Sequence, residues 1–273
     1  MAPIMNIPDE DDYQKMVKVA DAFGINYLNP KSLTEQVAEL NTSDYIVIPH
    51  EFTNGRYSRS VDPARLACSF AVERAGKSLD LELANTARDS LGREFVGNMN
   101  WQQQMNLLDA LGVSGVLINV NADFLRLLDE GAEGNMPVYD ESGKQLKPKY
   151  LAQVRDDVVE IMSPWRAERL DAFFEKREDG LYILTRNKTE AEKLSEDTLM
   201  EDKRISLDSW IQNPTLQGLP RTDVKKGSLS YWYPQDGAVA GSYAFSIRSY
   251  FLCVGVPSFR DSILGVRASK KRE

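Results

Sequence analysis

The chain has very few residues of the kinds that hold metals or act as nucleophiles. Its 273 residues include one histidine, His50, and two cysteines, Cys68 and Cys253. A zinc shell built from so few imidazoles and thiols would have to depend almost wholly on carboxylates. Neither GxGxxG nor GxxxxGK[ST], the glycine-rich loops that cradle phosphates, occurs. We therefore predict no catalytic residues, no metal site and no cofactor.

An excess of positive charge is also missing. The formal net charge is -8 and the pI is near 5.0, whereas binding to phosphate backbones needs clustered Lys and Arg. No apolar run approaches the roughly 20 residues that span a bilayer, and the acidic start MAPIMNIPDEDD lacks the features of a signal peptide. We expect a soluble protein that is not directed by a signal peptide and has no nucleic-acid partner; its compartment stays open.

What the sequence does contain is helical spacing early and strand-like runs late. Apolar residues at helical spacing predict helices over 9–23, 32–40 and 62–76, with a buried strand at 44–49. Asn100 is predicted to cap a helix over 101–112, and SGVLINV at 114–120 reads as a strand followed by a helix over 121–131. An E-D-G turn predicts a hairpin over 173–184, 206–213 reads as a short helix, and strands dominate from 227 onward. This order predicts an α+β fold.

The sequence context of the titratable residues and cysteines favours ordinary structural roles for them. His50 follows the predicted strand beside a proline, so we interpret it as a hydrogen-bonded loop residue. The pair Asp156 and Asp157 is more typical of a solvated helix face than of a general acid and base. Cys68 and Cys253 are interpreted as free buried thiols rather than a disulfide.

The segment 236–263 has an unusual composition. Its 28 residues contain no Lys, Glu, Gln, Met or Trp, although the chain holds 15 Lys and 19 Glu. Alternating Phe245, Ile247, Leu252 and Val254 are good strand residues, and period-two apolar positions usually form a core face. The intervening residues do not form a typical solvent-exposed face either, because most of them are small and one of them is Cys253.

This segment, VAGSYAFSIRSYFLCVGVPSFRDSILGVRA, resembles the C-terminal variable region of proteins diversified by retroelements. In that family template adenines are miscopied, and an Asn codon so treated can yield many side chains but never Lys, Glu, Gln, Met or Trp. The resemblance continues upstream through GREFVGNMNWQQQMNLLDALG and SPWRAERLDAFF and covers roughly 91 to the end. It implies a C-type-lectin fold of the formylglycine-generating-enzyme-like branch. The domains would be a mainly helical region at 1–90 and a C-type-lectin-like ligand-binding domain at 91–273, with its variable region at about 236–268.

The resemblance also assigns residues to two groups. The diversified, ligand-binding positions would be Tyr243, Phe245, Ile247, Tyr250, Leu252, Val254, Val256, Phe259, Asp261 and Ile263. The scaffold positions would be Ala240, Ala244, Ser246, Arg248, Phe251, Cys253, Pro257, Ser258, Leu264, Gly265, Val266 and Arg267. Ser242 departs from the pattern, since a large aromatic residue is usual there. Small scaffold residues and Cys253 would then pack inward, with Tyr243, Phe245, Tyr250 and Phe259 outward as a binding patch.

The implied function is a non-enzymatic, retroelement-diversified binder of a protein or cell-surface ligand. An enzyme of the formylglycine-generating type is the first alternative, although only Cys253 lies in the matching region. A structural or assembly protein of a larger particle, tethered through 1–90, is the second alternative. The ligand and the oligomeric state stay open.

Overall fold

The computed structural model describes residues 45–66, 86–88, 94–160, 166–186, 191–244, 248–261 and 263–272. The strands are β1 (Ile46–Ile48), β2 (Arg59–Val61), β3 (Thr86–Arg88), β4 (Glu94–Val96), β5 (Ser114–Gly115), β6 (Arg166–Arg177), β7 (Gly180–Leu184), β8 (Glu192–Lys193), β9 (Lys203–Ile205), β10 (Leu229–Trp232), β11 (Val239–Ala244), β12 (Ser249–Gly255), β13 (Leu264–Val266) and β14 (Ala268–Lys271). The helices are α1 (Trp101–Ala110), α2 (Ile118–Ala132), α3 (Pro148–Val159) and α4 (Leu207–Gln212).

An eight-stranded sheet curled into a half-barrel dominates the fold. Its strand order is β8-β7-β6-β11-β12-β10-β9, and β13 pairs additionally with β6. Most neighbours are antiparallel, whereas β10 with β12 and β13 with β6 are parallel. A four-stranded sheet has the order β1-β2-β14-β5, and β3 pairs with β4. The fold is thus mixed α+β, and the predicted class is confirmed at that level.

The large sheet has two faces with different coverings. The face that we call inner carries Ala172, Phe174, Phe251 and Cys253, which pack in one cluster with the buried sides of α2, α3 and α4. Trp210 of α4 stacks on Phe251 with ring centroids 4.4 Å apart. The opposite, outer face is covered near Val239 by the apolar side of α1. Further along the same strands the outer face carries no helix among the described residues.

Several predicted elements are confirmed. Asn100 caps α1, because its side chain accepts from the Gln103 amide while the Gln103 side chain accepts from the Asn100 amide. β1 lies inside the predicted strand at 44–49, and the E-D-G hairpin forms between β6 and β7. Its Gly180 has a φ of 152°, a value that side chains with a Cβ rarely adopt. The short helix appears as α4, capped by Ser206.

Two local predictions are wrong. The run at 114–120 is a strand only at β5, because α2 begins at Ile118. Its apolar residues are buried on all sides by packing, and periodicity cannot distinguish a buried strand from a buried helix start. Residues 62–66 contain a bend at 63–64 and no helix, although a helix was expected to begin there. The helices predicted at 9–23 and 32–40, and the rest of 62–76, lie outside the described residues.

The predicted N-terminal region is joined to the rest of the chain by strand pairing. β2 pairs with β14, which in turn pairs with β5, and β3 pairs with β4 across the boundary expected near 90. The described parts of 1–90 contain strands rather than helices. Across the ranges described above, no helix has the length and apolar character needed to cross a bilayer.

Candidate functional site

The candidate site is the uncovered part of the outer face together with the loop at 256–263. Cross-strand register aligns Ala167, Tyr243 and Tyr250 in one row across β6, β11 and β12. The parallel pairing of β10 with β12 places Trp232 beside Leu252. Residues directly opposite each other in a sheet share a face, so these side chains all lie on the outer face.

Alternating burial along β12 separates the two predicted groups. Phe251 and Cys253 are buried, whereas Tyr250, Leu252 and Val254 are partly exposed. Beyond the strand, Val256 is 59 % exposed and Phe259 is 48 % exposed. Large apolar side chains at this exposure, next to one another on one surface, are characteristic of binding sites.

The remaining candidate variable positions differ in their exposure. Tyr243 is only 9 % exposed and packs with Ala167 and Leu264, so the expectation that it stands outward is wrong. It does lie on the outer face, but the neighbouring side chains of Tyr250 and Leu252 cover it. Asp261 and Ile263 are partly buried. Phe245 and Ile247 lie outside the described residues.

The candidate scaffold positions are mostly in the interior. Those that are buried are Ala240, Ala244, Phe251, Cys253, Leu264, Gly265, Val266 and Arg267. Arg248 and Pro257 are partly buried, Ser258 is exposed, and Ser246 lies outside the described residues. Ser242, the departure from the family pattern, is buried opposite Phe251.

The loop at 256–263 is held against the sheet by buried donors. The Arg169 guanidinium donates to the Phe259 carbonyl at 2.5 Å, to the Val256 carbonyl at 3.4 Å and to the Met99 carbonyl at 3.1 Å. The Trp101 amide donates to the Pro257 carbonyl at 3.0 Å. These bonds fix the backbone that carries Val256 and Phe259, so the exposed side chains project from an ordered loop.

Asp261 has a structural role within this loop. Its carboxylate accepts a hydrogen bond from the Ile263 amide at 3.1 Å, which forms a local turn. Its carbonyl accepts from the Asn98 amide at 2.7 Å. A change of residue at this position would therefore alter the loop as well as the surface.

Sequence reasoning missed two residues of the site. Trp232 is 42 % exposed and extends the surface onto β10, outside the segment 236–263. Arg169, 2 % exposed, lies under the loop, and burial lowers its pKa to about 10. The alternation of β6, with Ala172 and Phe174 inward, could have placed Arg169 on the outer face. Its loop partners depend on long-range packing.

The residues considered for catalysis differ in burial and in their contacts. Cys253 is a free thiol with no exposed surface, and burial raises its pKa well above the usual range. His50 is exposed in the loop after β1. Asp157 is buried and bound by Arg65 and Arg267, so its assignment to a solvated face is wrong. The described residues contain no group of three or more potential metal ligands, and Cys68 lies outside them.

Comparison with known proteins identifies no family for this chain. No protein-family model, no curated protein and no solved structure matches the chain significantly.

Proposed function

We propose that this chain is a ligand-binding protein whose outer sheet face and 256–263 loop form a diversified surface, on a fold of the C-type-lectin type. The observation that carries the proposal is the alternation along β12. The candidate variable residues Tyr250, Leu252 and Val254 share the partly exposed face, and the candidate scaffold residues Phe251 and Cys253 share the buried one. Diversification at the first set would change a surface without disturbing the core.

The chemistry of the surface favours a protein ligand. Trp232, Val256 and Phe259 are apolar and more than 40 % exposed, and exposed aromatic residues such as Trp232 and Phe259 are typical of the anchors that dominate the energetics of protein interfaces. The net charge of -8 disfavours nucleic acid. The loop is held by Arg169 and Trp101, and an ordered binding loop loses less entropy when it binds.

The formylglycine-generating alternative gains no support from Cys253. Thiol chemistry requires the thiolate and access to it, whereas this thiol is fully buried with a raised pKa. Replacing Cys253 by Ser and assaying a cysteine-containing peptide tests that alternative directly.

The proposal is tested by sequencing the coding locus and its flanks in closely related isolates. We expect a near-identical template repeat beside a reverse transcriptase gene, with differences only at template adenines and at codons of the ten variable positions. Substitutions spread equally over Phe251, Cys253, Leu264 and Arg267 would contradict the proposal, because these residues are buried.

A binding measurement tests the same surface independently. A panel of purified cell-surface proteins is screened with the full chain and with the Val256→Ser/Phe259→Ser variant. We expect the double variant to weaken binding of any ligand found by about tenfold or more, the usual loss when interface anchors are truncated. The control is Tyr139→Ser/Met200→Ser, which alters two apolar residues of similar exposure elsewhere. Equal loss in both double variants would count against the assigned surface.

A further inference from the structure

A concave site lies away from the candidate surface on the outer face. A cleft of about 430 Å³ opens between the loop from β1 to β2, the first turn of α2 and the end of β7. None of the candidate variable residues that the structure describes lines it. Its volume falls within the range of roughly 300 to 1,000 Å³ that is usual for small-molecule sites. We call it the Arg59 cleft, after the arginine in its wall.

Much of the cleft wall is apolar. Leu117, Ile118 and Val120 contribute from the start of α2, and Ile183 contributes from β7. Leu216 forms part of the rim and is 66 % exposed. An apolar wall with an exposed leucine at its rim suits a ligand whose body is a short hydrocarbon or a ring.

Arg59 provides a cation with spare donors. Its guanidinium donates to the Ser269 hydroxyl at 3.3 Å, and no carboxylate of the described residues lies within salt-bridge distance of it. Desolvation lowers the pKa of Arg59, and the carboxylate of Asp171, which lies beyond salt-bridge distance, offsets only part of this effect. Arg56, which also lines the cleft, differs because it is bound to Asp123 at 2.8 Å. A guanidinium fork matches a carboxylate in geometry and charge.

The charge of the cleft wall narrows the class of ligand. Glu192 adds a negative charge to the wall. That charge disfavours a doubly charged phosphate and leaves a single carboxylate as the better match.

We propose that the Arg59 cleft binds a small organic carboxylate, with its anionic group on Arg59 and its apolar body against Leu117, Ile183 and Leu216. This site is separate from the diversified surface and does not depend on the proposed function.

The test compares sodium hexanoate with hexanamide at matched ionic strength on the full chain. Amide NMR titration and thermal unfolding both report binding, since a ligand that binds only the folded state raises its stability. We expect saturable shifts at residues 117–120 and 183–185 with hexanoate, and binding of hexanamide weaker by at least about tenfold, the usual size of a lost charged hydrogen bond. No saturable binding up to about 10 mM, beyond which affinity is too weak to be specific, or equal binding of the two compounds, would overturn the proposal.

Variants separate the roles of the wall residues. Arg59→Gln should weaken hexanoate binding about tenfold or more, and Arg59→Lys should retain part of it. The matched control is Arg177→Gln, an exposed arginine paired with Glu175, which should bind hexanoate normally. If Arg59→Gln fails to fold, Leu216→Glu provides the test, because this exposed rim position tolerates charge while the added carboxylate repels the ligand. Unchanged hexanoate binding in Leu216→Glu would contradict the assignment.

Discussion

Two buried arginines, Arg169 in β6 and Arg267 between β13 and β14, satisfy their guanidinium groups in different ways. Arg267 is bound by the carboxylates of Glu168 and Asp157, each at 2.6 Å. Arg169 donates only to backbone carbonyls within the described chain. Burial without a carboxylate lowers the pKa of Arg169, whereas the pKa of Arg267 is raised by its acidic partners despite complete burial. The first arrangement positions a loop, and the second joins distant segments of the chain.

Asp171 is a buried carboxylate with one oxygen unsatisfied. One oxygen accepts from the Arg186 amide at 2.9 Å, and the other has no partner. Desolvation raises the pKa of Asp171 from 3.8 to about 6. The folded state therefore binds the proton more tightly than the unfolded chain, so this residue lowers the free energy of unfolding as the pH rises from about 4 to 6.

We predict that Asp171→Asn removes this pH-dependent penalty. The gain in unfolding free energy relative to wild type should be larger at pH 7.5 than at pH 4 by about 2 kcal/mol, given about 1.4 kcal/mol for each pKa unit. Urea unfolding of both proteins at a series of pH values measures the difference. A variant-minus-wild-type difference that does not change with pH would contradict the assigned pKa. Asp208→Asn, at an exposed position, is the control.

At the scale of elements, the N-terminus of α1 contacts the loop of the candidate site. The helix begins beside Asn100, and its first amide, that of Trp101, donates to the Pro257 carbonyl of the 256–263 loop. The Trp101 indole donates to the Leu170 carbonyl of β6 at 3.0 Å. Loosening the first turn of α1 should therefore disturb the loop as well as the helix.

We predict that Asn100→Ala lowers the free energy of unfolding by about 1 kcal/mol, the usual cost of losing an N-cap. Asn100→Asp and Asn100→Ser keep a side-chain acceptor and should remain near wild type. Amide hydrogen exchange should also become faster in the 256–263 loop for Asn100→Ala. Unchanged exchange there would show that the loop is held by Arg169 without help from α1.

In the strands of the candidate site, sequence pattern predicts the alternation of side chains but not the exposure of each one. The alternation of β12 was readable from the sequence, because strand side chains alternate between faces. The exposure of individual residues could not be read from the sequence. Tyr243 has the same alternating position as Tyr250, yet it is 9 % exposed because β11 is central and β12 side chains cover it. Trp232 was missed because only the pairing of β10 with β12 places it on the same surface.

At the scale of the whole molecule, four buried charges join segments that are far apart in sequence. Arg65, Asp157, Glu168 and Arg267 form a connected set with side chains no more than 3 % exposed. Arg267 also donates to the Pro63 carbonyl. The network therefore connects the segment after β2, the helix α3, the strand β6 and the C-terminal strands, and its formal charge is zero.

We predict that Arg267→Met destabilises the protein by about 3 to 5 kcal/mol, because it leaves Glu168 buried without a cation. Arg267→Met/Glu168→Met should recover part of this loss, since Asp157 remains paired with Arg65. Denaturant unfolding of the single and double variants measures the recovery, with Arg177→Met as an exposed control. A double variant less stable than the single one would contradict this account of the network.

The sequence by itself determined the α+β class, the cap and stripe of α1, the hairpin of β6 and β7, and the two-faced character of β12. Each depends on neighbours within a few residues, where capping, turn chemistry and alternation act. Tertiary structure decided the start of α2 at Ile118, the burial of Asp157 and Tyr243, the position of Trp232 on the outer face and the Arg59 cleft. These features arise where segments tens to hundreds of residues apart meet, and local spacing carries no information about which segments do so.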